Sequence, residues 1–425
     1  MIVRGDEPGG TTGGPGPRGE RALAVRRNTI LLGIAQGAAS MSFPVLLIVG
    51  SVAASDIAGR DGIVGVVNAG YFLAAAAGAL LFGRAMDRVG RRPGLATAYL
   101  MLGVAGAGCG VAIAAGSLTG LLLCTTLFGF SYGGANLARA AVADMYDPAH
   151  RARAVGLVLA AGTVGAVGSP FLVAFLRGWA EREALDPSVV PWVIVPAVAI
   201  TALACSLSLR PDPRTLAVGD ATEEPARARR SPRELLAVPA IRTAILAAAV
   251  GQMAMVAVMG VTPVALEHHH ASSTVISTVI SLHIMGMWAL SPVIGAALDR
   301  IGRRPIMFGA GLVSVLGALL TGTDAGPGIV AAGLFAIGLG WSGTFLGATA
   351  VISDLTPPEE RAGALGFTDL VVSLSSAAAG LAGGFAFEGA GLRVVGFGVA
   401  TLVLVVVIGV ARLRAPDPLI SADAG

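Results

Sequence analysis

Few residues in this sequence are equipped for chemistry, and most of them sit among apolar neighbours. Asp369 lies inside an apolar run, on a helical stripe with Ser373, Ser376 and Gly380. His283 lies inside another, flanked by Ile276, Ile280, Met287 and Leu290. A carboxylate or an imidazole in such surroundings is suited to carrying a proton. For Asp369, pairing with a neighbouring basic loop is the competing role. Glu267, His268, His269 and His270 follow one another directly. Such groups are ligands for Zn²⁺, Ni²⁺ or Cu²⁺, but consecutive histidines cannot all reach one ion in good geometry. The cluster is read as a solvated loop, with a pH-sensitive gate and metal-linked transport as the alternatives. His150, beside Arg151, reads as a surface group.

Other polar residues recur at helical spacing. Tyr132, Asn136 and Arg139 stand at i, i+4 and i+7. Gln36 stands four residues before Ser40, Gln252 shares a stripe with Met255 and Met259, and Trp341 is followed by Thr344 and Phe345. Brought together, they would form a moderately polar pocket with methionine and aromatic walls, able to repack around an amphiphile. Ordinary hydrogen bonding between helices is the alternative for each residue, and Arg139 could instead snorkel to water. Cys109, Cys124 and Cys205 show no CxxC spacing and read as small packing residues.

The elements that must position these groups are membrane spans. The chain has 425 residues, 55% hydrophobic and 13% charged, against about 25% charged in a soluble domain. A helix needs about 20 apolar residues to cross a bilayer. Such runs occur at 29–54, 63–83, 95–115, 119–143, 154–176 and 189–209, then at 241–266, 274–298, 306–322, 328–353, 364–387 and 392–413. They do not alternate as the strands of a barrel would. The first run is too long for a signal-peptide core and lacks a small-residue cleavage site, so it is expected to stay.

All 29 basic residues are arginine. With the N-terminus inside, 25 fall in cytoplasmic segments, and only Arg60, Arg177, Arg182 and Arg393 lie outside. That asymmetry places both termini in the cytoplasm of a multi-pass plasma-membrane (cell inner membrane) protein. The net charge of +3 forms no continuous basic face, which excludes nucleic acid as a partner. No nucleophile elbow, Walker loop or HExxH is present, so neither an enzyme nor direct use of ATP is expected, and no cofactor is implied.

The phrase "GRAMDRVGRRP" from Gly83 to Pro93 returns as "GAALDRIGRRP" from Gly295 to Pro305, 212 residues later. "ADMYDPAHRARAVG" from Ala143 returns as "SDLTPPEERAGALG" from Ser353 at an offset of 210, pairing Asp144 with Asp354. Two matched pairs at nearly one offset mark an internal repeat. The expected organisation is a disordered tail (1–28), a six-helix bundle (29–210), a cytoplasmic linker (211–239), a second six-helix bundle (240–414) and a short tail (415–425). In each copy Gly90 or Gly302 permits a tight turn, while Asp87 or Asp299 can accept backbone N–H groups or pair with arginine.

Twelve spans, a central linker and G-x-x-x-D-R-x-G-R-R-P in both halves resemble the major facilitator superfamily, over about residues 29–414. The resemblance implies an all-α integral membrane fold, two six-helix bundles related by a pseudo-two-fold axis, that rock about a central site. It implies a gating latch at Asp87, Arg88, Gly90 and Arg91 and at Asp299, Arg300, Gly302 and Arg303. It also assigns Gln36, Tyr132, Asn136, Arg139, Gln252, Met255, Trp341 and Phe345 to a substrate cavity, and leaves Asp369 and His283 as proton-coupling candidates. The chain departs from the family's drug/proton antiporters. Thr125 or Thr126 stands where an arginine would be in span four, and Ala166 replaces a proline in span five. The expectation is a monomeric, proton-coupled secondary transporter exporting an amphiphilic small molecule. Uptake of a polar metabolite, or divalent-metal-linked transport through His268, His269 and His270, is the alternative.

Overall fold

A computed structural model of the chain describes residues 17–146, 148–216, 231–356 and 358–412. The expected C-terminal tail, residues 1–16, and linker residues Glu223, Glu224, Arg227, Arg229 and Arg230 lie outside the described residues. So do the side chains of Pro148, His150, Arg151, Pro358 and Arg361.

Among the described residues the chain is helical, with no strands. In hydrocarbon every backbone N–H and C=O must be satisfied within its own segment, which leaves helices as the open choice. Among the described residues eleven helices are long and apolar enough to cross a membrane. They are span 1 (Gly19–Ala58), span 2 (Ile63–Val89), span 3 (Arg91–Ala114), span 4 (Leu118–Asp144), span 5 (Ala154–Arg182) and span 6 (Val190–Leu207) in the first half. Span 7 (Pro239–His268), span 8 (Ser273–Ile301), span 9 (Arg303–Gly322), span 10 (Pro327–Leu355) and the stretch Ala364–Ala411 make the second. That last stretch of 48 residues would reach about 70 Å as one helix, over twice the bilayer core. It is two crossings, spans 11 and 12, because the backbone leaves helical geometry at Ala390 (φ −151°) and Gly391 (φ 72°). The total is twelve.

The first helix begins at Pro17, so residues 17–28 extend span 1 rather than forming part of a disordered tail. Arg21, Arg27 and Asn28 anchor this extension by donating to the carbonyls of Leu216, Arg210 and Pro211. The chain just after span 6 is thereby stitched to the start of span 1. At the other end of the expected linker, Pro232–Ala237 is a short helix opened by a Ser231/Glu234 capping box.

The packing repeats with the sequence. Span 1 packs on 5, 2 on 4, 3 on 4 and 3 on 6; in the second half, 7 packs on 11, 8 on 10, 9 on 10 and 9 on 12. The two main interfaces between halves, span 2 on 11 and span 5 on 8, exchange under the same relation. Span 7 is buried over 89% of its most apolar window and span 1 over 78%, against 28% for span 5. An apolar helix buried on all sides belongs at the centre, so spans 1 and 7 form the paired core. The outer faces carry Val164, Val111, Leu123 and Ile200, each about two-thirds exposed or more, as a lipid-facing surface requires.

Gly90 and Gly302 take nearly one conformation, φ 100°, ψ 163° and φ 104°, ψ 158°. A side chain is strained there at a cost of about 1–3 kcal/mol, which explains a glycine at this offset in both phrases. Gly302→Ala is therefore expected to lower the thermal unfolding midpoint of purified protein. Gly295→Ala, a helical position where a Cβ meets nothing within 4 Å, should leave the midpoint unchanged or raise it.

Candidate functional site

At the arginine-rich end, each repeated phrase folds into the same clasp. Arg91 reaches back to Asp87 (3.0 Å) and across to Asp144 (2.8 Å). Arg303 does the same with Asp299 (2.9 Å) and Asp354 (3.2 Å). One guanidinium thus ties the end of an even-numbered span to the foot of span 4 or span 10, using the planar fork that lysine lacks. The repeat marked Asp144 and Asp354 as equivalent without indicating this partner.

Asp212 had no sequence signal at all. Its carboxylate accepts the backbone N–H groups of Arg91 (3.1 Å) and Arg92 (2.9 Å), capping the start of span 3. A carboxylate there satisfies free N–H groups and meets the positive end of the helix dipole. Arg214 adds a bond to the carbonyl of Arg88 at 3.1 Å. The second phrase is held differently, by Arg304 donating to the carbonyl of Ala411 at the end of span 12.

Deeper in, the expected cavity residues form one cluster in each half. In the first, the Gln36 amide donates to Ser40 Oγ (3.2 Å) and Asn136 Oδ1 (3.3 Å). Phe43, Tyr71 and Phe128 surround the Tyr132 ring. In the second, the Trp341 indole N–H donates to Gln252 Oε1 at 2.6 Å, Trp341 stacks on Phe345 with centroids 5.0 Å apart, and Trp288 meets Trp341 edge-on at 5.2 Å. Met255 is buried on the same helix as Gln252. The Gln252 amide nitrogen has no protein partner among the described residues and is not fully enclosed. It is available to a guest.

Span 4 is not one continuous helix: Leu118–Ala135 and Ala138–Asp144 are separated by a turn at Asn136 and Leu137. The uniform i, i+4, i+7 stripe expected for Tyr132, Asn136 and Arg139 is broken there. Tyr132 and Asn136 stay with the inner cluster, whereas Arg139 is exposed and interacts electrostatically with Asp369 of span 11, in the other half. Asp369 is exposed as well.

His283 lies between spans 8 and 10, fully buried. Its Nδ1 bonds the carbonyl of Leu334 at 2.6 Å, and its Nε2 has no partner among the described residues.

The opposite end, which carries the histidines, is closed. Arg60 of the first half pairs with Glu388 of the second (3.2 Å), Arg177 with Glu267 (3.4 Å), and Asp61 with His268 (3.5 Å). His269 turns to Asp324 at 2.9 Å, while His270 takes a positive φ and is exposed. The expected solvated loop is thus partly tied down. Among the described residues no three His, Cys, Asp or Glu side chains converge as a metal site would require. Ser281 adds a further bond between the halves, to the carbonyl of Val167 at 3.1 Å.

Comparison with known proteins agrees with this architecture. The family model described as Major Facilitator Superfamily matches residues 29–268 and 244–425. The chain belongs to the major facilitator superfamily. An uncharacterized MFS-type transporter of Bacillus subtilis (strain 168), YdeG, is 28% identical over 412 residues, covering 94% of each chain. The riboflavin transporter RfnT of Brucella anthropi is 28% identical over 395 residues, covering 91% of this chain and 96% of its own. Among solved structures, a bacterial homolog of the human lysosomal transporter Spinster, inward-facing and unoccupied, superposes with a TM-score of 0.71 at 16% identity, covering 93% of this chain and 97% of that one. The nucleoside transporter NupG gives 0.69 at 16% identity, covering 91% and 100%.

The chain is thus a multi-pass membrane transporter of this superfamily. In that setting the clasps are informative. Asp87 and Asp299 are two-thirds or more exposed and contact their own half, and the polar contacts between halves described above gather toward the histidine end. The superfamily member is held with that end shut. The Trp341–Gln252 bond gives a direct test of the second cluster. Gln252→Leu leaves a buried indole N–H unpaired, at a cost of about 1–3 kcal/mol. A lower unfolding midpoint and weaker ligand-induced stabilisation are expected in a thermal-shift assay, and Gln252→Glu, which keeps an acceptor, should restore the midpoint.

Proposed function

We propose that the chain is a proton-coupled secondary transporter that moves an amphiphilic small molecule by alternating access, with export as its net direction. The observation that carries this reading is the position of Asp369. It is exposed at the arginine-rich end, and Arg139, the opposite charge it senses, belongs to the other bundle. When ionised, Asp369 attracts Arg139 and favours closing that end; when protonated, it does not. A proton on Asp369 therefore biases which end is open, which is what coupling requires. His283, enclosed between two helices of one bundle, has no such lever on the other half.

The cargo class follows from the walls. Stacked indole and phenyl rings beside amide groups suit a flat heteroaromatic ring with hydrogen-bonding edges. That the Brucella anthropi relative is named a riboflavin transporter supports the same class. The cavity set of Gln36, Tyr132, Asn136, Gln252, Met255, Trp341 and Phe345 would bind the cargo, with Arg139 at its rim. The 25-to-4 arginine split supports a plasma-membrane protein with cytoplasmic termini, its arginine-rich end inside. A second reading, uptake of a polar metabolite, is favoured by the Arg139–Asp369 juxtaposition, since a polar cargo could use that charge pair.

Proteoliposomes loaded with riboflavin as the probe test both. Flux is expected to follow an imposed pH gradient. Asp369→Asn should lower gradient-driven accumulation about tenfold or more while sparing exchange at equilibrium. Rates indifferent to the gradient, or full accumulation by the variant, would remove Asp369 from the coupling role. Comparing right-side-out with inside-out vesicles decides between export and uptake.

A further inference from the structure

The closed histidine end holds an electrostatic imbalance. Five carboxylates face one another across it: Asp56 and Asp61 from the end of span 1 and the loop after it, Glu267 from the end of span 7, Asp324 from the loop before span 10, and Glu388 from the end of span 11. Two arginines answer them, Arg60 on Glu388 and Arg177 on Glu267. Arg177 is nearly buried, and its Nε and Nη1 atoms have no partner among the described residues. The remaining basic groups are His268 on Asp61 and His269 on Asp324. Asp61, His268, His269, Asp324 and Glu388 line one cavity of about 340 Å³ between the halves. With neutral imidazoles the group carries a net charge of −3; with both protonated, −1. Like charges brought together in a partly desolvated contact oppose closure, and each proton taken up by an imidazole relieves that opposition.

We propose that His268 and His269 are proton-binding residues whose protonation accompanies closure of this end. His268 is the more direct of the two. Its ring stacks on Phe387 of span 11 (centroids 6.0 Å apart), and its carboxylate partner Asp61 belongs to the first half. A proton on His268 therefore adds an attraction between the halves. His269 and Asp324 both belong to the second half, and their pairing removes a bare carboxylate from the cavity. Acid favours the closed state and alkali the open one. The inference rests on alternating access, but not on the cargo or on Asp369.

Distance measurement on the full chain in lipid nanodiscs tests it. Spin labels are placed at Glu183→Cys and Ala325→Cys, exposed positions at this end on opposite halves, with Cys109, Cys124 and Cys205 replaced. Lowering the pH from about 8 to about 5.5 is expected to raise the ratio of short to long distances about threefold or more. His268→Gln with His269→Gln should flatten that response, and His268→Arg, charged at every pH, should hold the short distance in alkali. Asp369→Asn should leave the response in place. A wild-type ratio that does not move with pH would overturn the proposal, as would a full response in the double glutamine variant. A response lost in Asp369→Asn but kept in the double variant would assign the proton effect to Asp369, overturning this proposal and leaving the transport reading intact.

Discussion

The rest of the molecule depends on how closely spans 2 and 11 approach at the histidine end. A Cβ on Gly65 would lie 2.8 Å from the carbonyl oxygens of Gly380 and Leu381, and one on Gly384 only 2.6 Å from the Gly65 Cα. In lipid no hydrophobic effect drives helices together, so close packing of small residues and polar contacts must do so. The glycine contact brings the two backbones close enough for Arg60 to reach Glu388 and for Asp61 to reach His268. Two bundles joined firmly at one end and loosely at the other can pivot. A bundle pair welded along its whole length could not.

Each bundle must then move as a unit, and the repeated clasps serve that need. Arg91 joins span 3 to the end of span 2 and the foot of span 4, and Arg303 joins spans 8, 9 and 10 likewise. Asp212 and Arg214 bind the chain after span 6 to the same corner. These contacts lie within one half, so they stiffen it without opposing motion between halves. The asymmetry of the repeat is equally meaningful. Leu159 occupies the position equivalent to Asp369, so a protonatable group stands on one bundle alone and faces a fixed cation on the other.

Much of this was legible in the sequence because it is periodic or repeated. Long apolar runs count the crossings, and a phrase written twice exposes the two halves. The break that divides Ala364–Ala411 fell between two expected runs, beside Gly391. What was not legible depends on tertiary meetings. Asp212 lies about 120 residues from the N–H groups it caps, in a stretch that resembles any polar loop. The pairs Asp61–His268 and Arg177–Glu267 join loops and helix ends with no period to betray them. The turn at Asn136 and Leu137 contains no proline, and neither residue breaks a helix strongly enough to be noticed; it was enough to separate Arg139 from the stripe it was assigned to.

Protons act at both ends of the proposed cycle, and they act in the same sense. At the histidine end a proton on His268 adds attraction across the contact. At the arginine-rich end a proton on Asp369 removes attraction toward Arg139. The first tightens the end that is shut, and the second loosens the end that is open, so both stabilise the conformation observed here. Loss of either proton favours the reverse motion: Asp61 and its neighbouring carboxylates repel at one end, and Asp369 draws the other end closed. Two sites at opposite ends of the molecule thereby become linked through one rigid-body motion, with no chain of contacts needed between them.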